Sequence, residues 1–194
     1  MVGDAGVAER KRVLRATLRA VRRTLSPAQA ADEAVRTVAL VEALIAARGA
    51  CEVGSYCALA DELSLDGLHH RRWRSGGAVW LPRVAGVQLA WHRVTDPDVL
   101  IPGAFAVREP DPDRCPSLPL PVDCLLLVPG VGFAPDGRRL GQGGGFYDRL
   151  LAHHRGLAVG VGFACQRCDE LPVAAHDRRM SALILGGTTV LEPG

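Results

Sequence analysis

A chain of 194 residues with 23 basic and 21 acidic side chains carries a formal net charge of +2, so its summed charge does not direct it to nucleic acid or to a membrane surface. With 48% hydrophobic residues and a mean hydropathy of +0.11, it can bury roughly 70% of the surface its unfolded chain exposes, around one substantial core. No apolar run reaches the ~18 residues of a membrane span, MVGDAGVAERKRVLRATLRA lacks the apolar stretch of a secretory signal, and Cys51, Cys57, Cys115, Cys124, Cys165 and Cys168 follow no small-scaffold disulfide pattern; a cytoplasmic chain with mostly reduced thiols is expected.

Val13, Leu14, Leu18, Val21 and Leu25 recur at helical spacing, with Lys11, Arg15, Arg19 and Arg22 on a neighbouring face, which predicts an amphipathic helix with a basic stripe. Ser26 and Pro27 read as the N-cap and first residue of a second helix, through AQAADEAVRTVALVEALIAAR, that Gly49 ends. CEVGSYCAL predicts a strand and loop, Ser64 to Trp73 a short helix, and AVWLPRV and VQLAWHRV two strands rich in β-branched and aromatic residues. From Ala104 to Val122 proline and aspartate dominate, which predicts a loop. CLLLVPGVGF is a continuous apolar run, the pattern of a strand buried on both faces of a mostly parallel sheet. A glycine stretch, a helix over about 145–154 and another buried strand, LAVGVGF, follow. Helices alternating with strands predict the α/β class.

The stretch LGQGGGFYDRLL, residues 140–151, sets four glycines among positions 141–145 ahead of Phe146, Tyr147 and Asp148. Between a strand and a helix, glycines let a phosphate approach the backbone, and the helix start offers unpaired N–H groups and a positive dipole end. The same glycines also suit a plain tight turn. No Lys followed by Ser or Thr comes after them, so this is not a Walker A loop, and G-x-G-x-x-G from Gly141 would need glycine at Phe146. Asp148, in the first helical turn, either complements the dipole or, beside a polyphosphate, needs a divalent cation between them. Mg²⁺ is held in that way by one or two carboxylates plus phosphate oxygens, which makes Asp148 a candidate metal ligand.

LLLVPGVGFAPDGRRLGQGGGFYDRLL resembles the signature of the 5-formyltetrahydrofolate cyclo-ligase family, also called 5,10-methenyltetrahydrofolate synthetases: an apolar run, Pro-Gly, an apolar residue, Phe, a turn with Gly, then Arg-Leu-Gly-x-Gly-x-Gly-aromatic-Tyr-Asp. The likeness continues through KRVLRATLRAVRRTLS, YCALADEL, WLPRV, REP and LPVAAHD, in order and spacing over nearly the whole chain. It implies a single three-layer α/β domain over residues 1–194 that binds ATP and Mg²⁺ and converts 5-formyltetrahydrofolate to 5,10-methenyltetrahydrofolate, releasing ADP and phosphate. A formamide oxygen is a poor leaving group. Phosphorylating it gives an iminium phosphate that the neighbouring N10 attacks, so the protein needs to stabilise a transferring phosphoryl group rather than supply a nucleophile.

Carried over residue by residue, the resemblance implies ATP-binding roles for Lys11, Arg15, Arg139, Leu140, Gly141, Gln142, Gly143, Gly144, Gly145, Phe146 and Tyr147. Lys11, Arg15 and Arg139 would stabilise phosphoryl transfer, Asp148 and Asp177 would ligate metal, and Cys57 and Glu62 would contact the folate. A carboxylate suits a pterin because its two oxygens accept paired N–H bonds. Plainer readings stand beside these: a solvated basic face for Lys11 and Arg15, a surface ion pair for Asp177, an acidic residue near a helix start for Glu62. Lys11 is the single lysine of the chain, and an ammonium presents a different geometry to phosphate from a guanidinium fork.

Departures from the family pattern are Gln142 in a variable slot, Phe146 where Tyr is commoner, Ser181 where many members have Asp, and LIL at 183–185 where a Thr-Glu pair is common. Cys165 and Cys168 have half-zinc or redox spacing without a second half, so buried or incidental thiols are expected. His69-His70 and His153-His154 cannot place both rings on one helical face. His176 either orients Asp177 or lies at the surface, and Trp80 and Trp91 read as core or strand-face residues. The expected protein is a monomer acting on a reduced folate, with no nucleic-acid or membrane partner. The alternatives are a silent folate or nucleotide binder and another ATP-dependent phosphoryl-transfer enzyme on the same scaffold.

Overall fold

The computed structural model describes residues 4–103, 106–172 and 177–192. Its centre is a seven-stranded sheet in the order β11-β10-β9-β6-β1-β2-β3, formed by β1 (Val53–Gly54), β2 (Val79–Ala85), β3 (Gln88–Val94), β6 (Leu125–Pro129), β9 (Ala158–Gly162), β10 (Ala182–Leu185) and β11 (Thr188–Leu191). The five inner strands run parallel, and the antiparallel partners β3 and β11 close the two edges. Strands β10 and β11 lie beyond the last strand predicted from sequence.

Helices α2 (Pro27–Arg48) and α3 (Asp66–Arg74) cover one face, where Val38, Val41, Ile45, Leu65 and Leu68 pack against Val53, Leu125, Leu127, Val159, Val161 and Ile184. The other face carries Trp80, Trp91, Leu126, Val128, Leu183 and Leu185 under Phe133, Leu151 and Met180. Residues 125–128 are therefore buried on both sides, as an uninterrupted apolar run requires, each side chain contributing roughly 1.5–3 kcal/mol. The result is a three-layer α/β domain. Both tryptophans belong to the core.

The predicted ends of α2 hold. Ser26 Oγ accepts from the Gln29 N–H at 3.3 Å while Gln29 Oε1 accepts from the Ser26 N–H at 2.9 Å, a reciprocal cap contributing about 1 kcal/mol. At the other end Gly49 takes the left-handed conformation, φ 59°.

Three expectations are corrected. Helix α1 (Asp4–Arg22) is docked by its basic side: Lys11 and Arg22 have side chains only 11% and 2% exposed, whereas Val13 and Val21 are 51% and 42% exposed. Of the apolar stripe, Leu14 and Leu18 pack inward on Val131, Ala134 and Leu140, and Leu25, past the end of the helix, packs instead against the core under α2. The loop expected over 104–122 contains β5 (Arg108–Pro110), which pairs antiparallel with β4 (Leu100–Pro102); residues 104 and 105 lie outside the described set. Helix α4 (Phe146–Leu151) is six residues long rather than about ten. Among the described residues no helix is long and apolar enough to cross a membrane.

Candidate active site

From β1 the chain winds outward to β2 and β3, and from β6 it winds the other way to β9, β10 and β11. The strand order thus reverses between β1 and β6, and in an open α/β sheet the crevice beyond the carboxyl ends of two such strands is where ligands bind. Residues 55–62 leave β1 into that crevice. After β6, a hairpin of β7 (Gly132–Phe133) and β8 (Arg139–Leu140) delivers the glycine loop.

Helix α1 borders the loop, and its helical repeat aims successive cations at it. Arg15 Nε donates to the Gly141 carbonyl at 2.8 Å, and Arg19 Nη2 donates to Gln142, at 3.4 Å to its carbonyl and also to its side-chain oxygen. From the far side Arg149 Nη2 donates to the Gly144 carbonyl at 3.0 Å, with its guanidinium 5.3 Å from the Phe146 ring centroid. Three carbonyls of the loop are therefore held by arginines. Gly143 (φ 109°) and Gly145 (φ 67°) occupy backbone conformations closed to other L-residues without strain, which is the structural need behind the glycine run. With α4 so short, cationic side chains rather than a long helix dipole must supply most of the positive potential here.

Arg139, its side chain 3% exposed, donates from Nη2 to Asp148 Oδ1 at 2.8 Å and from Nη1 to the Pro129 carbonyl at 3.1 Å. Its guanidinium lies 5.6 Å from the Tyr147 ring centroid, and its Nε is buried without a partner among the described residues. Lys11 Nζ donates to both oxygens of Asp177, at 2.8 and 2.6 Å, across 166 positions of sequence. Burial, followed by the neighbouring Arg19 charge, draws the Arg15 guanidinium below its usual range, partly offset by Asp177 and Asp148. These groups line one cavity of about 710 Å³, where Lys11, Arg15, Arg139, Arg149 and Arg178 face two carboxylates, Asp148 and Asp177. The cations exceed the acids, and an anion would relieve the imbalance.

The segment after β1 is fastened before it reaches the crevice. Ser55 Oγ and His69 Nε2 are 2.8 Å apart and wholly buried, the Tyr56 hydroxyl donates to the Leu63 carbonyl at 2.8 Å, and Asp61 accepts from buried Arg22 at 2.6 Å. Ser55 and His69 lie too deep to meet a substrate; burial lowers the His69 pKa to about 4 despite nearby Asp66, and the pair braces the loop. Beyond it, Glu62 Oε2 accepts from the Leu59 N–H at 3.2 Å and Oε1 from Gln142 Nε2 at 2.7 Å. Cys57 is half-buried, and burial pushes its thiol up to about 12, so it stays protonated at neutral pH. Tyr147 lies close enough that the Glu62 charge adds to burial in raising its hydroxyl.

Of the residues singled out in the sequence, Lys11, Arg15, Arg139, Leu140, Gly141, Gly143, Gly145, Asp148 and Asp177 line the cavity together. Gln142, Gly144, Phe146, Tyr147, Cys57 and Glu62 do not line it, although Gln142 donates a hydrogen bond to Glu62. Arg149 and Arg178 also line the cavity and were missed; each adjoins an expected metal ligand in sequence, the only signal available. Ser181 is not a lining residue: its N–H donates to the Ala158 carbonyl at 2.7 Å, at the start of β10. Cys165 and Cys168 are half-buried free thiols raised by burial, and no group of three or more metal-binding side chains occurs among the described residues. His176 lies outside the described residues.

Comparison with known proteins identifies the family. Residues 7–186 match the model of the 5-formyltetrahydrofolate cyclo-ligase family. The chain is 33% identical over 141 residues to the 5-formyltetrahydrofolate cyclo-ligase of Escherichia coli K12, covering 68% of this chain and 76% of that one. It is 28% identical to the Haemophilus influenzae protein of the same name, covering 92% and 98%. The NMR structure of Aquifex aeolicus 5,10-methenyltetrahydrofolate synthetase superposes with a TM-score of 0.77 at 30% identity, covering 92% of this chain and 91% of that one. A match that runs through α1, the glycine loop and Asp177 takes in every segment converging on the cavity, and the chain belongs to the 5-formyltetrahydrofolate cyclo-ligase family.

Proposed function

We propose that the protein uses ATP to convert 5-formyltetrahydrofolate to 5,10-methenyltetrahydrofolate, and that residues 1–194 form one domain dedicated to this reaction. The observation carrying the proposal is the convergence of Lys11, Arg15 and Arg139 with Asp148 and Asp177 on one cavity beside Glu62 at the reversal of strand order. The formyl oxygen attacks the γ-phosphorus, the bond to the β-phosphate oxygen breaks, and ADP leaves. N10 then attacks the resulting iminium carbon and loses its proton, the carbon–oxygen bond breaks, phosphate departs and the five-membered ring closes. Lys11, Arg15 and Arg139 stabilise the negative charge on the transferring group, and no protein nucleophile enters.

The named cations all rest on internal acceptors: Lys11 on Asp177, Arg139 on Asp148, Arg15 on the Gly141 carbonyl. A polyphosphate exchanges these contacts for its own. Asp148 and Asp177 fit a Mg²⁺ that arrives with the nucleotide, since two carboxylates leave most of an octahedral shell to phosphate oxygens and water. When bound, the ion would neutralise phosphate charge and leave Lys11 and Arg139 available to ATP. Glu62 receives the pterin through paired N–H bonds, and Cys57 contacts the folate on the same side. We read the protein as a cytoplasmic monomer; its net charge of +2 supports the further reading that it acts without nucleic acid.

The test mixes protein, Mg-ATP and 5-formyltetrahydrofolate, following methenyl absorbance and ADP release. Stoichiometric methenyl and ADP formation is expected. Folate binding without turnover would make the protein a silent binder, and failure to bind folate would point to another substrate on this scaffold.

A further inference from the structure

The two sides of the crevice are joined by one amide. Gln142 Nε2 donates to Glu62 Oε1 at 2.7 Å, and the side-chain oxygen of the same residue accepts from Arg19 on α1. Glu62 Oε2 is meanwhile occupied by the Leu59 N–H at 3.2 Å. Both oxygens of the carboxylate proposed to hold the folate are thus engaged by the protein itself. One donor is backbone from three residues away; the other is the tip of an exposed side chain from 80 positions away. The exposed amide is the one that can leave without moving the fold.

Resting on the folate reading above, we propose that Gln142 is a stand-in ligand for Glu62, which the substrate's ring N–H must displace before it can bind. A planar pair of N–H donors takes both oxygens of a carboxylate at once; the Leu59 N–H is backbone and can stay on a second lone pair of Oε2, so the displaceable competitor is the Gln142 amide on Oε1. The side chain also belongs to the glycine loop, whose carbonyls at 141 and 142 are held by Arg15 and Arg19. Displacement therefore frees the loop from the folate wall while leaving it fastened to α1, and arrival of the folate is communicated to the nucleotide side. Gln142 is in these terms a positioning residue that acts on substrate through Glu62.

The test is the affinity for 5-formyltetrahydrofolate without nucleotide, measured by calorimetry on the full chain. Gln142→Ala, and Gln142→Met, which keeps the side-chain length but removes the amide, should each tighten Kd by about two- to tenfold, the range for losing one competing hydrogen bond. A merely structural role predicts the opposite sign, and Kd unchanged or raised in both variants overturns the proposal. Glu62→Gln separates two failures. Intact folate binding in that variant faults the folate role of Glu62 and removes the proposal with it. Weakened binding there, without tightening in the Gln142 variants, overturns the stand-in role alone.

Discussion

Replacing Asp148 by asparagine isolates charge from shape at the centre of the cavity. Asp148 accepts from Arg139 at 2.8 Å, and that guanidinium is 3% exposed while the carboxylate is 24% exposed. Removing one partner of a buried pair costs about 3–5 kcal/mol, but asparagine keeps an acceptor oxygen, Arg139 retains the Pro129 carbonyl and the Tyr147 ring, and the carboxylate is partly solvated. A loss of about 1–3 kcal/mol follows, small enough to leave a domain of ordinary stability folded. Turnover should drop far more, by roughly 10²–10³-fold, because on the proposed reading the carboxylate helps hold the cation that neutralises charge on the transferring phosphoryl group. Urea unfolding gives the first quantity and methenyl formation with Mg²⁺ as sole divalent ion the second. Metal-free ADP supplies a third: with one negative charge fewer in the cavity, its Kd should be unchanged or tighter. Turnover at the wild-type level would refute the metal-ligand role, and weakened ADP binding would show that Asp148 acts only by holding Arg139.

Lys11→Arg should raise KM for ATP by about tenfold, since a fork replaces a compact ammonium held between both oxygens of Asp177; unchanged ATP dependence would show that the lone lysine has no special fit. Gly143→Ala meets nothing nearer than Arg15 Cζ at 3.7 Å, so its penalty arises from φ 109° alone, about 1–3 kcal/mol; ATP use should weaken with a modest fall in Tm, and wild-type KM for ATP would refute the need for that backbone shape. For His69 the folded pKa, about 4, lies below the usual 6.5, so the folded state resists protonation: its contribution is full above pH 6.5 and is lost as pH falls toward 4. Stability at pH 5 should be about 2 kcal/mol below that at pH 8 from this group. His69→Gln should flatten that part of the urea profile, and an identical slope would refute the assignment.

What was legible in the sequence was what local chemistry fixes. Helix α2 announced both ends, because Ser26, Pro27, Gln29 and Gly49 act within a turn of themselves. The strand at 125–129 was legible because burial on two faces leaves no polar position. The orientation of α1 was not. Periodicity shows two adjacent faces, one apolar and one basic, but the partners that draw the basic one inward are Gly141, Asp177 and Asp61, all remote in sequence. Strands β4 and β5 escaped notice because three residues each, bounded by proline, carry no alternation to read. The glycine motif located the site, yet Arg149 and Arg178 stand outside any spacing rule, and the Gln142–Glu62 bond joins positions that only the sheet brings together.

The reversal of strand order between β1 and β6 has a consequence for how such an enzyme diversifies. The wing that would receive the folate is encoded before residue 95, and most of the wing that would grip phosphate after residue 123, α1 being the exception. They meet at a seam of paired residues, Val53 with Leu125 and Gly54 with Leu126. Position 54 is tightly packed: a methyl group there would approach Leu126 Cδ1 to 2.7 Å, and that side chain would have to shift. A chimaera exchanging residues 50–95 for those of a relative, with that seam preserved, would inherit a new acceptor specificity on an unaltered kinase-like half.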